Sequence, residues 1–222
     1  MPGLEPATLA RQLSNGLQRL GLDLDAAKQS SLLAYLALLV RWNQAFNLSG
    51  VKEPERMVSL HLLDSLSIAP FVAGHRVLDV GTGAGLPGIP LAIAFPEKKF
   101  VLLDSNGKKT RFLFQAVTAL GLDNVDIVNE RAENFQSQDQ IDIVVTRAFS
   151  SLNQSIRWTA HLFAEHGCLL AMKGLYPEAE VMSLLPGYTV RNTYALSLPE
   201  ELEQRHLLEI VAGQESVGLR CS

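Results

Sequence analysis

A run of glycines, Gly81-Thr82-Gly83-Ala84-Gly85-Leu86-Pro87-Gly88, stands between two acids, Asp79 and Asp104. Glycines let a chain turn sharply and let a ligand approach without meeting a Cβ atom. An acid ending the next strand can accept hydrogen bonds from the two hydroxyls of a ribose. These residues therefore suit a nucleoside-containing cofactor. Gly83-x-Gly85-x-x-Gly88 satisfies the dinucleotide fingerprint, with Asp104 roughly where its acid belongs, so a nicotinamide-dependent oxidoreductase fits the glycines. Asp79 favours a different ligand. A carboxylate so close to the first glycine would repel a pyrophosphate, whereas S-adenosylmethionine carries an ammonium and a sulfonium. The bland alternative is that Asp79 caps the loop's own N–H groups.

Elements must hold these residues in place. Residues 76–80 read as a strand entering the loop, and 86–95 as the helix leaving it, with Pro87 in the first turn where a missing N–H costs little. Residues 100–104 form a second strand, which Asp104 ends. An amphipathic helix follows over 108–120, stopped by Gly121. Further strands are expected at 125–128, 141–146 and 168–172, with a helix over 152–164. The tail, 188–198 and 206–212, reads as two last strands. Alternation of this kind predicts an α/β, mainly parallel, doubly wound sheet of Rossmann-like type. Ligands on such sheets sit at the strand C-termini, where the strand order reverses. The first ~70 residues differ. Leu9, Leu13, Leu17 and Leu20 recur at helical spacing, a second helix begins near Asp25, and a third covers 54–68. We read 1–72 as an N-terminal helical cap and 73–222 as the catalytic domain.

Composition narrows the setting. Hydrophobic residues make up 47% and charged residues 19%, which allows a soluble chain with a real core. The net charge of −4 is not that of a general polyanion binder, so an anionic partner must meet a local basic patch. Two cysteines, Cys168 and Cys221, make no disulfide framework, and residues 1–13 carry no secretory signal. A reducing cytoplasm is expected. The longest apolar run, 32–40, is too short to span a bilayer, so no membrane partner is expected. No metal is expected either.

The acceptor can be narrowed by what is missing. Exocyclic-amine methylation usually goes with an Asn/Asp-Pro-Pro-aromatic motif after the fourth strand, but that place reads Thr146-Arg147-Ala148-Phe149. Methylation of a pyrimidine carbon needs an exposed nucleophilic cysteine. Cys168 lies in an apolar strand and Cys221 is next to the last residue, so both read as inert. What remains is an atom already nucleophilic, such as a ring nitrogen with a free lone pair. Such an acceptor needs alignment and exclusion of water but no general base, and no catalytic residue is assigned. Arg131, Arg147 and Lys173 follow the third, fourth and fifth strands. Lys108, Lys109 and Arg111 open a helix, where cations oppose the dipole. Together they favour an anionic substrate, with a small-molecule methyltransferase still open.

The chain resembles the bacterial glucose-inhibited division protein B family. The resemblance rests on Asp79 to Pro90, Leu103-Asp104-Ser105, Lys108-Lys109, Phe112-Leu113, Thr146-Arg147-Ala148-Phe149 and Lys173-Gly174. In the cap it rests on Arg41-Trp42-Asn43, Asn47-Leu48-Ser49 and His61-Leu62-Leu63-Asp64-Ser65, and near the end on Arg205-His206. It runs in order over roughly residues 20–210. The resemblance implies a Rossmann-like class I methyltransferase fold, S-adenosylmethionine as donor, and N7 of one guanine near the decoding site of 16S ribosomal RNA as acceptor. It implies the small ribosomal subunit as partner; a monomer is the expectation for this chain. By position, Asp79, Gly81, Gly83, Leu86 and Asp104 would serve the cofactor, with Ala132 and Glu133 at the adenine and Arg147 as a further cofactor-site residue. Arg131, Lys173, His61 and Arg205 are assigned to the RNA. A packing role for His61, satisfied by Asp64, is the alternative. Leu60 departs from the family, which often has a basic residue there.

Overall fold

A computed structural model describes residues 6–148, 150–196 and 204–213, without the side chains of 164–166. Phe149, Cys221 and most of the connection before Arg205 lie outside the described residues. Seven strands form one sheet in the order β3-β2-β1-β4-β5-β7-β6. They are β1 (Arg76–Val80), β2 (Lys99–Leu103), β3 (Val125–Val128), β4 (Ile141–Arg147), β5 (Phe163–Lys173), β6 (Tyr188–Leu196) and β7 (Arg205–Ala212). The first five run parallel. β7 is antiparallel to both β5 and β6. β1, β2 and β4 are buried enough to read as apolar runs, which is what coverage on both faces demands, while β3, at the sheet edge, is only half-buried. The order reverses between β1 and β4, and that is the switch point where a ligand crevice opens.

The helices are α1 (Pro6–Arg19), α2 (Ala26–Phe46), α3 (Pro54–Met57), α4 (Asp64–Leu66), α5 (Gly88–Ala94), α6 (Gly107–Leu120), α7 (Leu152–Thr159) and α8 (Glu178–Met182). Asp25 caps α2 by accepting from the Lys28 N–H at 2.8 Å, and Gly121 ends α6 in the left-handed region. Three expectations shift. The helix after the glycine loop begins at Gly88 rather than residue 86. The helix expected over 152–164 stops at Thr159 and tightens into a 3₁₀ turn, Ala160–Leu162. The helix expected over 54–68 widens between α3 and α4 into a π-helical stretch, Val58–Leu63. π-bulges are rare and concentrate at functional sites, and this one carries His61. The short α8 was not foreseen, because five residues with no buried member leave no periodic trace.

The N-terminal helices share a core with the sheet's α5–α6 face. Leu13, Leu36, Leu39 and Leu62 pack in one cluster with Ile89, Leu102 and Phe112. Within it the Tyr35 hydroxyl, fully buried on α2, donates to the Ala84 carbonyl of the glycine loop at 2.7 Å. Tyr35→Phe would leave that carbonyl unsatisfied at about 1–3 kcal/mol. We expect a lower melting temperature and severalfold weaker donor binding, with turnover at saturating donor retained. Unchanged donor affinity in calorimetry would show that the cap does not position the loop.

Candidate active site

The glycine loop leaves β1 and is tied to the end of β2. Gly81 and Thr82 both donate to the Leu103 carbonyl, Gly83 donates to Asp104 Oδ2 at 2.9 Å, and Gly85 and Leu86 donate to Thr82. Gly83 has φ +62°, a conformation a side chain strains to adopt, so its glycine is required for the turn. Gly88 is required for a different reason. A Cβ on it would lie 2.2 Å from Leu102 Cδ2 and 2.8 Å from Asp79 Oδ2. With so many N–H groups engaged inside the protein, the loop has few donors left to cradle a pyrophosphate.

Asp79 sits beneath this loop, only 1% exposed, and does not line the cleft above it. Its Oδ2 accepts from Thr82 Oγ1 at 2.6 Å and from the Gly88 N–H at 2.8 Å, while Oδ1 is buried without a partner. This corrects the expected direct contact with a cationic ligand, because the loop's own donors reach the carboxylate first. The argument against a dinucleotide survives in another form. Asp79 itself occupies the anion position at the start of α5. Burial pushes its pKa up to about 6, against the hydrogen bonds from Thr82 and Gly88, which lower it. A folded pKa above the unfolded value means stability that is present below ~3.9 and lost as pH rises through about 6. Asp79→Asn should remove that loss, on the order of 2–3 kcal/mol. Melting curves at pH 4 and pH 7 check it; a variant-minus-parent difference that does not grow with pH contradicts it.

Two clefts open at the strand C-termini. The first, about 460 Å³, is lined by Gly81, Asp104, Glu130, Ala132, Glu133 and Trp158 among others. That volume suits a nucleoside-sized ligand. Asp104 is 7% exposed and accepts from Gly83 and from the Asn106 N–H at 2.8 Å. Lys109 Nζ stands 3.6 Å from it, so this lysine serves the first cleft as a counter-charge. Asn129 donates to the Asp104 carbonyl and holds the β3 loop against the β2 end. The lining carries three carboxylates, Asp104, Glu130 and Glu133, against Lys109 and Arg131. This acidic bias and the nearly used-up N–H groups fit S-adenosylmethionine better than a phosphate-bearing cofactor. Asp104, Ala132 and Glu133, which the resemblance assigns to the cofactor, all line this cleft. The side chain of Leu86, which was expected at the cofactor through the loop, is 5% exposed and packs in the α5–α6 cluster.

The second cleft, about 380 Å³, is lined by His61, Asp64, Arg147, Lys173 and Arg205, with Leu60 at its wall. Ala148 lines both clefts and has φ +50°, an unusual conformation for a residue with a side chain. Arg131, assigned to the RNA, and Arg147, assigned to the cofactor, line different clefts that meet at Ala148. Arg131 loops back from β3 over the first cleft, and Arg147 lines the second. The reason is strand alternation: Thr146 is buried and its neighbour Arg147 points the other way, toward the π-helical stretch.

Asp64 is the residue that sequence reasoning undervalued. Its side chain is 4% exposed between two guanidinium groups, with Oδ2 3.0 Å from Arg147 and Oδ1 3.1 Å from Arg205. Arg147 also donates to the Leu60 carbonyl at 3.0 Å. The available signal was an acid inside the apolar run Val58 to Leu66, because a buried charge needs a partner. His61 lines this cleft, and its hydrogen-bond partner is not Asp64. Its Nε2 lies 2.7 Å from Ser49 Oγ. Burial, with help from the Arg147 charge, lowers its pKa to about 4, so the ring is neutral. Asn43 builds this contact by bonding the Ser49 N–H and the Val51 carbonyl. Lys173 Nζ bonds Glu180 on α8 at 3.1 Å and the Ser150 carbonyl at 2.9 Å. Cys168 is buried in β5 and its thiol is pushed up to about 11 by burial and by Glu209, which agrees with an inert thiol. Among the described residues, no cluster of His, Cys, Asp or Glu could hold a metal, and no helix is long and apolar enough to cross a membrane.

Residues 28–208 match the family model described as rRNA small subunit methyltransferase G. The chain belongs to that family. The curated relatives agree in extent. The ribosomal RNA small subunit methyltransferase G of Pseudomonas aeruginosa is 52% identical over 200 residues, covering 90% of this chain and 94% of that protein. Its counterpart from Pseudomonas syringae pv. syringae is 50% identical over 199 residues, covering 90% and 93%. A solved S-adenosylmethionine-dependent methyltransferase from Aquifex aeolicus shares the fold, with a TM-score of 0.59 at 19% identity over 75% of this chain and 97% of that one. Membership makes the chain a methyltransferase, and its donor is S-adenosylmethionine. The oxidoreductase alternative is thereby set aside.

Proposed function

We propose that this protein transfers a methyl group to N7 of a guanine in small-subunit ribosomal RNA, acting in the cytoplasm on the small subunit. The observation that carries the reading is the pair of clefts meeting at Ala148, one biased acidic and one lined by three cations and one carboxylate. Both relatives named above are small-subunit rRNA methyltransferases by name, and a match over 90% of this chain supports the same substrate here. S-adenosylmethionine, when bound, supplies an activated methyl that the N7 lone pair can take directly, leaving a neutral thioether and a cationic base. N7 bears no proton, so the protein's work is alignment and charge management. Arg147, Lys173 and Arg205 draw in an anionic strand, and Asp64 moderates the repulsion that two guanidiniums would exert on a base gaining positive charge. Neutral His61 adds no further positive charge to that pocket.

The test supplies methyl-labelled donor with small subunits lacking the modification, bare small-subunit RNA and a metabolite extract. Label should appear in the RNA at one guanine, at N7. Label confined to small molecules of the extract would overturn the RNA reading.

A further inference from the structure

The chain carries 23 acidic residues and a net charge of −4, and its three longest helices, α1, α2 and α6, contain no acid; two of them stand beside the active site and expose cations and aromatic rings together. These are α2, 21 residues, and α6, 14 residues, and they pack side by side through Tyr35, Trp42 and Phe112. Their direction is opposed. The start of α2 meets the end of α6, where Asp25 and Lys28 share a cleft with Gly121 and Leu122. The end of α2 therefore lies toward the start of α6, which supplies Lys109 to the donor cleft. Beyond α2, Ser49 and Val51 reach the second cleft. The acid-free face thus borders both halves of the active site.

Its residues have a consistent chemistry. Arg41, Lys108 and Arg111 are exposed and have no carboxylate partner among the described residues. Trp42 and Phe46 stand with ring centroids 5.0 Å apart, beside a shallow groove of about 350 Å³ that Arg41 and Gln115 also line. Phe46 is 48% exposed and Phe114 on α6 is 56% exposed. Cations that track a phosphate backbone, interleaved with aromatic faces on which bases stack, form the pattern of a single-stranded nucleic-acid platform.

We propose that the α2–α6 face is a docking surface for the RNA strand flanking the target nucleotide, with Arg41 and Arg111 on phosphates and Phe46 against a base. The proposal rests on the small-subunit RNA reading above. It places part of the affinity outside the catalytic clefts, on a patch where Arg41, Lys108 and Arg111 stand exposed beside Phe46 and Phe114.

The test compares the parent with Arg41→Glu/Arg111→Glu and with the milder Arg41→Gln/Arg111→Gln and Phe46→Ala, all at exposed positions. Donor binding and melting temperature should stay at parental values in the Gln pair and in Phe46→Ala, which keeps the test usable if the Glu pair misfolds. KM for small subunits should rise about tenfold in the charge variants, with kcat at saturating subunits within about twofold. The slope of log affinity for bare small-subunit RNA against log salt should fall by roughly 1.4, about 0.7 for each lost phosphate contact. Unchanged KM and slope, in a preparation whose parent does methylate small subunits, would overturn the docking face alone. A raised KM on subunits with parental binding and slope on bare RNA would assign the face to a ribosomal protein and overturn the RNA proposal. A parent that transfers no methyl to small subunits would remove the functional reading, and this proposal with it.

Discussion

Replacing Asp104 with alanine should weaken S-adenosylmethionine binding by about 100-fold or more, since a buried carboxylate accepting from both ribose hydroxyls contributes roughly 1.5–3 kcal/mol per bond. The effect has two sources. The carboxylate lines the first cleft, and it also organises that cleft by accepting from Gly83 and Asn106. Alanine would orphan both N–H groups and release Lys109 from its counter-charge 3.6 Å away. Asp104→Asn separates the contributions, because an amide oxygen can still accept from Gly83. Its NH2 would then face the Asn106 N–H, so we expect the Asn variant to lose about 1–3 kcal/mol of stability and to bind donor with intermediate affinity. Calorimetric titration with S-adenosylhomocysteine reads both variants. Parental affinity in Asp104→Ala would move the donor out of this cleft.

Arg147→Ala should abolish measurable methyl transfer and also lower stability. Asp64 would be left buried with Arg205 as its remaining charged partner, and the Leu60 carbonyl would lose its donor. Removing one partner of a buried pair costs about 3–5 kcal/mol, and Arg147's 20% side-chain exposure reduces that to about 2–3 kcal/mol. A chain of this size should then melt roughly 5–10 °C lower. Arg147→Met combined with Asp64→Asn should recover much of the stability, because no unpaired carboxylate remains, while transfer stays lost. A single variant as stable as the parent would show that Asp64 is satisfied without Arg147. Retained activity in the double variant would remove the pair from the acceptor site.

Much of the architecture could be read before any coordinates. β1 and β3 fall on the expected residues, and Asp25 and Gly121 bound their helices as cap chemistry predicts. Periodicity and caps are local signals, so they survive without tertiary information. The misses came where local signals are weak. α8 is short and polar, and the π-helical stretch has the same apolar spacing as an ordinary helix. The Lys173–Glu180 bond was invisible for the same reason, since its acid sits on the helix that was not foreseen.

The sequence by itself determined the class of fold, the glycine loop with its two acids, and the membership that names the donor. Those follow from patterns within about twenty residues of one another, and from order along the chain. Only the tertiary structure decided what each charged group does. Asp79 supports the loop through Gly88, Arg131 and Arg147 line different clefts, and Asp64 emerged between two arginines from distant segments. The physical reason is that a charge acquires its role from the partners within a few ångströms and from its burial. Neither is a property of spacing along the chain: Asp64 meets Arg205 across 141 residues.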